Sequence, residues 1–248
     1  GFIVITLVLI VLIALFGALV RTVFGFGEAL VTMPLLALLA VNLQTSVALI
    51  GALGLIVALP GAIRYRVHIN FAVVRRLVTG SLLGVPVGIL LIKYVDKTII
   101  MRIFSLFLIG YGTYCLIRIH QHRVSPPKFQ ANGYDYLAGL ISGLMGSAYN
   151  SHGVPIVVYG TLKKWPVMEL RGILQAHFLC VGILVVASQA AAGFWHIEVA
   201  ELLAVIIPLL LIVIPLGNWL ADHINNAQMV KYVYGLLVVF GILLFLKA

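Results

Sequence analysis

Two stretches of this chain place polar side chains where an apolar sequence has no structural need of them. The first is "RTVFGFGEALVTMP" (21–34) and the second is "GSAYNSHGVP" (146–155). Each carries glycines that permit a sharp backbone turn, and each is followed by an apolar run that reads as a helix restarting. A restarting helix exposes unpaired N–H groups at its N-terminus, and these groups together with the helix dipole attract an anion. The chemistry on offer is therefore anion binding by Gly25, Phe26, Gly27 and Glu28 at one break and by Asn150, Ser151, His152 and Gly153 at the other. Glu28 and His152 can also change charge and so carry a proton. Arg21 and Glu28 bracket the first break and can pair with each other.

Competing readings accompany these residues. Gly139, Gly143 and Gly146 also suit close packing of membrane helices. Asn150 and Ser151 suit capping of the second restarting helix, and His152 suits a satisfied interior histidine. Further along, Gln175 and His177 lie in an apolar run, and Gln175 follows Arg171 by four residues, so the two share a helical face. Polar groups in membranes usually face the bundle interior, which makes Gln175 a substrate contact and Arg171 either a coupling charge or an anchor at the membrane edge. Gln189 and Asn218 are weaker candidates. No phosphate-binding loop, C-x-x-C or H-E-x-x-H occurs. Only Ser151 beside His152 resembles a nucleophile–base pair, and sequence neighbours rarely form one, so no catalytic residue, metal ligand or cofactor is assigned.

These groups must be positioned by elements of an unusual composition. Of 248 residues, 63% are hydrophobic and 9% are charged, against roughly 25% charged in soluble domains. Such a chain cannot cover a water-facing surface, and it reads as an all-α integral membrane protein with the lipid bilayer as its main partner. Stretches without Lys, Arg, Asp or Glu cover 1–20, 29–63, 77–92, 103–117, 136–162, 172–197, 202–221 and 232–246. A spanning helix needs roughly 20 apolar residues. The long run 29–63 therefore divides at Asn42–Gln44. The segment 1–20 lacks a basic start and a cleavage site and reads as a retained helix. The net charge of +9 comes from basic loops of the positive-inside kind, and nucleic acid is not expected as a partner. Cys115 and Cys180 lie in apolar runs and read as buried thiols.

The chain also matches itself. A shift of 121 sets Pro34 on Pro155, a shift of 128 sets "VHIN" (67–70) on "WHIE" (195–198), and a shift of 129 sets "PVG" (86–88) on "PLG" (215–217). This order of anchors defines a first transmembrane repeat, 1–119, a basic cytoplasmic linker, 120–131, and a second repeat, 132–248. The loop near 64–76 carries Arg64, Arg66, Arg75 and Arg76, whereas its counterpart near 193–201 carries Glu198 and Glu201. Opposite charge on equivalent loops favours an inverted repeat over a parallel one. Lys93, Lys97 and Arg102, which inversion would turn outward, weigh against it. Each repeat then has a broken or re-entrant first segment and three transmembrane helices: 44–63, 77–92 and 103–117, then 172–192, 202–221 and 232–246. Pro86 and Pro215 read as kinks. Residues 1–41 remain open between a full crossing plus a re-entrant segment and a hairpin.

"FGFGEALVTMPLL" (24–36) and "GSAYNSHGVPIVVYG" (146–160), followed by Trp165, Arg171, Gln175 and Phe178, resemble the sulfite exporter TauE/SafE family, also called the toluene sulfonate uptake permease family. The resemblance covers nearly the whole chain, including "YVD" (94–96). It implies a two-repeat membrane transporter for sulfite, sulfonates or related sulfur anions. Glu28 stands where many members have a small residue, and "NSHGVP" where a Gly-Gly-Pro-Pro-like stretch is frequent, which leaves the exact substrate open.

The combined reading is a secondary transporter moving a small sulfur-containing anion across a plasma membrane, of the prokaryotic inner-membrane type, by alternating access. Its expected substrate contacts are Gly25, Phe26, Gly27, Glu28, Asn150, Ser151, His152, Gly153 and Gln175, with Glu28, His152 and Arg171 as the coupling candidates. A passive anion channel of the same architecture is the alternative. Transport direction, coupling ion and homo-oligomerisation are not fixed by the residues.

Overall fold

In lipid every backbone polar group must find its partner within the protein, so an apolar chain of this length can be only helices or a closed barrel. The computed structural model describes residues 3–121, 126–223 and 226–247, and among these it is helical without a strand. Before the linker lie α1 (Val4–Phe24), α2 (Glu28–Leu38), α3 (Leu43–Arg64), α4 (Phe71–Tyr94) and α5 (Lys97–Gln121). After it lie α6 (Gly133–Tyr149), α7 (Gly153–Lys163), α8 (Val167–Ala191), α9 (Ile197–His223) and α10 (Asn226–Lys247). Six of them, α1, α3, α4, α5, α8 and α9, are long and apolar enough to cross a bilayer.

Local chemistry sets the boundaries. Asn42 begins α3 by accepting from the backbone N–H of Gln44 at 2.8 Å, which is why the long apolar run divides there. Asn70 begins α4 in the same way through Val73. Pro86 and Pro215 lie inside uninterrupted helices. Pro34 falls in the second turn of α2, whereas Pro155 falls in the first turn of α7. The two prolines that the sequence comparison set on one another thus do not occupy equivalent helical positions.

Contact registers give each helix its direction. Both short helices fold back on their predecessors. Gly17 of α1 packs on Thr32 and Glu28 of α2. At the second pair, the Ser142 hydroxyl donates to the His152 carbonyl at 2.6 Å, and Lys163 at the far end of α7 reaches Asp135 at the start of α6. The segment left open at the N-terminal side of α3 is thus a hairpin of α1, a long arm of roughly 31 Å, and α2, a short one. Leu77 lies on Gly139 and Ser81 on Gly143, so α4 and α6 run the same way. Gly217, near the C-terminal end of α9, lies on Leu19 and Thr22, near the C-terminal end of α1, and those two ends lie side by side, as they do when α1 and α9 run the same way. In α3 and α8, Gly51 meets Gln189 and Gly61 meets Gln175, which makes them antiparallel. Arg102 over Phe245 and Tyr111 against Tyr234 make α5 and α10 antiparallel too.

With lipid outside, apolar burial does not drive helices together, and close approach of small residues must. The α4–α6 pair is the clearest case. A Cβ on Gly80, Gly84 or Gly139 would collide with the backbone carbonyl of Tyr136, Leu140 or Leu77. The Ser81 hydroxyl crosses the same seam to the Gly139 carbonyl at 2.7 Å. Gly139 and Gly143 are therefore packing residues, as their competing reading had it. Large apolar side chains such as Leu83, Leu211 and Leu246 face outward, towards lipid. The buried thiols expected at positions 115 and 180 are not found: Cys180 is exposed and Cys115 is half-buried. An apolar run fixes depth in the membrane, not which side of a helix faces lipid.

Candidate functional site

The two breaks, far apart in sequence, face each other at mid-length of α3 and α8. At the first, Gly25 and Gly27 both take left-handed conformations, with φ of 89° and 96°. Glycine adopts these without the penalty a Cβ would bring, and the chain reverses within three residues. At the second, Asn150 takes φ 57° and closes α6. Its N–H bonds to the Gly146 carbonyl, the 5→1 bond of an αL ending, and the N–H of Ser151 reaches the Met145 carbonyl. Asn150 therefore terminates α6 instead of capping α7. Its side-chain amide reaches across to the Val47 carbonyl of α3 at 3.0 Å, and the Ser151 hydroxyl turns back to the Tyr149 carbonyl at 3.4 Å.

A cavity of about 30 Å³ lies between the breaks. Its walls include Arg21, Phe26, Gly27 and Glu28 from the first hairpin, Asn150, Ser151, His152 and Gly153 from the second, Ile50, Gly51 and Gly54 of α3, and Phe178 of α8. The hairpins touch where a Cβ on Gly153 would lie 3.1 Å from the Cβ of Phe26 and 2.7 Å from the Phe178 ring. Gly146 leaves room for the imidazole of His152, whose ring atoms lie 2.7 Å from where a Cβ would sit. His152 also packs edge-on against Phe178, with centroids 5.1 Å apart.

Four buried polar atoms of these walls have no partner: Arg21 Nε, Glu28 Oε1, Asn150 Oδ1 and His152 Nδ1. Leaving such groups unpaired costs about 1–3 kcal/mol each; His152 Nδ1 faces Gly146 of α6, while Arg21, Glu28 and Asn150 bring a donor and two acceptors to residues that wall one cavity. The two helix starts differ. Glu28 already puts a carboxylate in the first turn of α2, whereas α7 has no acidic residue in its first turn. The first N–H groups of α7 therefore remain available to an anion.

A second cavity of about 20 Å³ lies along α3 towards Tyr65, lined by Arg21, Thr22, Gly25, Val57, Pro60, Gly61, Gln175 and Asn218 among others. Arg21 is the wall residue the two cavities share. Its guanidinium donates from one terminal nitrogen to Glu28 Oε2 at 3.2 Å and to the Gly54 carbonyl at 2.6 Å, and from the other to Gln175 Oε1 at 3.3 Å. It also stacks 4.3 Å from the Phe178 ring centroid. Gln175 in turn donates to the Gly25 carbonyl at 2.9 Å. Arg171 donates to the Val23 carbonyl at 2.8 Å and to the Tyr65 hydroxyl at 3.3 Å. Gln175 and Arg171 do share a face, and both hold the free carbonyl end of α1. Gly25 and Gln175 belong to the second cavity, and Arg171 lines neither.

Two groups were given no role by sequence reasoning: His177, named only as a polar residue in an apolar run, and Asp135, which was not singled out. His177 is fully buried behind His152, its Nε2 2.9 Å from the Ser81 hydroxyl. Asp135, also fully buried, binds Arg76 at 2.6 Å, Lys163 at 3.2 Å and the Tyr159 hydroxyl, and so ties the open end of the α6–α7 hairpin to α4. A lone Asp in the first turn of an apolar helix signalled a buried charge in need of partners. Sequence did not reveal that Arg76 and Lys163 converge on it.

Compared with known protein families, residues 10–244 match the one described as Sulfite exporter TauE/SafE. No curated protein and no solved structure matches the chain. The family match takes in both breaks, both cavities and the helices that frame them, so the chain belongs to the sulfite exporter TauE/SafE family and is a multi-pass membrane transport protein.

Proposed function

We propose that the protein is a secondary transporter for a small sulfur-containing anion, such as sulfite or an organosulfonate, working by alternating access of two inverted repeats. The observation that carries this reading is the meeting of both chain breaks at one small cavity whose wall residues include several with unpartnered buried polar atoms. Irregular backbone at membrane depth is tolerated where it lines a cavity, and in transporters such breaks bind the substrate. The first turn of α7 supplies N–H donors and the helix dipole. Asn150, Ser151 and His152 flank it, Phe26 and Gly27 close the opposite wall, and Gly25 and Gln175 line the continuation towards Tyr65. Glu28 and His152 are the groups that couple transport to protons. Arg171 fixes the end of α1 behind them.

Inversion is supported by helix direction. α4 runs with α6 and α1 with α9, while α3 opposes α8 and α5 opposes α10. Exchanging the two halves maps these four pairings onto themselves, with each helix running opposite to its counterpart. The face holding Arg64, Arg66, Arg75, Arg76, Lys163 and Lys164 is then cytoplasmic. Lys93, Lys97, Glu198 and Glu201 fall on the other face, where positive charge is offset by acid. A rocking carrier also explains why Arg21 and its partners stand between the two cavities.

Flux into proteoliposomes tests the reading, with sulfite, ethanesulfonate, thiosulfate and sulfate offered separately, with and without a proton gradient. Saturable, gradient-driven flux of a sulfur anion is the expected result. Unsaturated flux with a measurable single-channel current would instead make the protein a channel. Absence of flux for all four in folded protein would remove the sulfur-anion assignment.

A further inference from the structure

The Arg21–Glu28 pair is built in a way that a merely structural ion pair is not. Both side chains are only 5% exposed, and they meet through a single contact of 3.2 Å. Arginine prefers to grip a carboxylate through two parallel N–H bonds. Here one terminal nitrogen is divided between Glu28 and the Gly54 carbonyl, the other goes to Gln175, and Nε has no partner. Glu28 likewise leaves Oε1 unpaired. A donor and an acceptor that do not satisfy each other thus border one cavity. Arg21 is also the residue that both cavities share, so a single guanidinium serves the space on either side of the barrier.

We propose that Arg21 is the residue that neutralises the transported anion, and that Glu28 is a built-in stand-in which holds the guanidinium until the anion takes its place. This rests on the anion-transport reading above. A compact oxyanion offers two oxygens to the same guanidinium and can occupy the fork that Glu28 fills poorly. Glu28 cannot remain charged beside it, because two anions would then compete for one cation in a site with little water. The displaced carboxylate takes up one proton from solution. Net charge at the site is zero before the exchange and zero after it, for a singly charged anion. That condition lets the same barrier be crossed empty or loaded without an unpaired buried charge.

The groups facing Glu28 are consistent with such an exchange. α1 presents Arg21, the second break presents His152, and α3 presents Gly51 and Gly54, which cannot titrate. From α8 come Phe178 and Gln175, with His177 behind His152 at a ring separation of 6.4 Å. Tyr234 of α10 lies on the far side of Gly27 and Leu30. Arg21 is the positive charge of the cavity walls, and Glu28 is the group there able to release it.

Isothermal titration calorimetry on the purified, full-length protein tests this. Sulfite, ethanesulfonate, acetate and phosphate are titrated at pH 8 in two buffers of different ionisation enthalpy, which counts protons taken up per anion bound. For the anion that binds, the wild-type count should exceed that of E28Q by about one. This difference removes any proton carried by the anion itself. E28Q should bind at least tenfold more tightly at pH 8 and lose most of its pH dependence. R21Q should lose binding by at least 100-fold, and R21K, which keeps the charge but not the fork, should fall in between. If R21Q disturbs folding, the double variant R21Q/E28Q removes both charges and should also fail to bind. Sulfite bound equally by wild type and R21Q, or an E28Q that binds more weakly with an unchanged proton count, overturns the exchange while leaving sulfur-anion transport standing. Arg21-dependent binding of acetate or phosphate without any sulfur anion upholds the exchange and removes the sulfur assignment. No binding of any anion by wild type or E28Q overturns both.

Discussion

Replacing Asp135 with Asn should destabilise the protein by roughly 3 kcal/mol while leaving the central cavity untouched. Asp135 is fully buried and holds three partners: Arg76 at 2.6 Å, Lys163 at 3.2 Å and the Tyr159 hydroxyl. The amide keeps the shape and one acceptor but removes the charge, which leaves two cations facing each other. Removing one member of a buried pair costs about 3–5 kcal/mol, whereas an exposed pair contributes about 0–1 kcal/mol. The Arg76 and Lys163 side chains are 15% and 9% exposed, so the buried limit is the closer one, and slight access to water brings it to its lower end. About 3 kcal/mol is a change of roughly 10²-fold in the folding equilibrium. Trp165 lies against Tyr159 with ring centroids 5.6 Å apart, so in a W195F/W219F background, which leaves it the single tryptophan, its fluorescence reports on this cluster. Unfolding in mixed micelles, followed at Trp165, supplies the free energy. The double variant R76Q/D135N should recover part of the loss, because it removes one of the stranded cations. A D135N shift below about 0.5 kcal/mol, or a double variant as unstable as the sum of the two singles, would refute the idea that this carboxylate anchors the hairpin.

Other consequences follow from backbone geometry. Gly84→Val and Gly139→Val place side-chain atoms on the opposing carbonyls of the α4–α6 seam. They should cost at least about 3 kcal/mol, seen as loss of monodisperse protein, whereas Gly110→Ala, with open space around it, should be neutral. Gly146→Ala puts a methyl group 2.7 Å from the His152 ring; the fold should persist while flux in proteoliposomes falls by tenfold or more. At Asn150, φ is 57°, so Asn150→Gly loses the bond to Val47 alone. Asn150→Ala adds a left-handed penalty of about 1–2 kcal/mol. Glycine should therefore be the more stable replacement in thermal unfolding, the reverse of its rank inside a helix.

Helix positions and the two breaks were legible because lipid imposes a simple rule: apolar runs of sufficient length must be helices, and polar interruptions must have a purpose. Asn42, a single polar residue, located the start of α3 correctly. Partnerships between distant segments were less legible. Arg21 lies seven residues from Glu28 and the pair could be guessed, but Gln175 meets Arg21 across a separation of 154 residues. No periodicity encodes that approach. The Gly80, Gly84, Gly88 series was open to view, yet what it packs against depends on α6 lying alongside α4. Exposure of Cys180 was hidden for a related reason, since every position of a membrane helix is apolar whether it faces lipid or protein.

The two hairpins bring different chemistry to the cavity. The first hairpin contributes the charges of the site, Arg21 and Glu28, and among the described residues its ion pair lies at the cavity itself. The second contributes neutral groups, Asn150, Ser151 and the first turn of α7, and carries its own ion cluster at the opposite end, on Asp135. The α6–α7 hairpin is thus clamped to α4 along a glycine seam and at its base. The α1–α2 hairpin is held by charge chiefly where the substrate would bind. Exchange of Glu28 for an external anion would therefore alter the restraint on the first hairpin and leave the second fixed. The proposed exchange therefore predicts a movement in which the first hairpin shifts against the clamped second one.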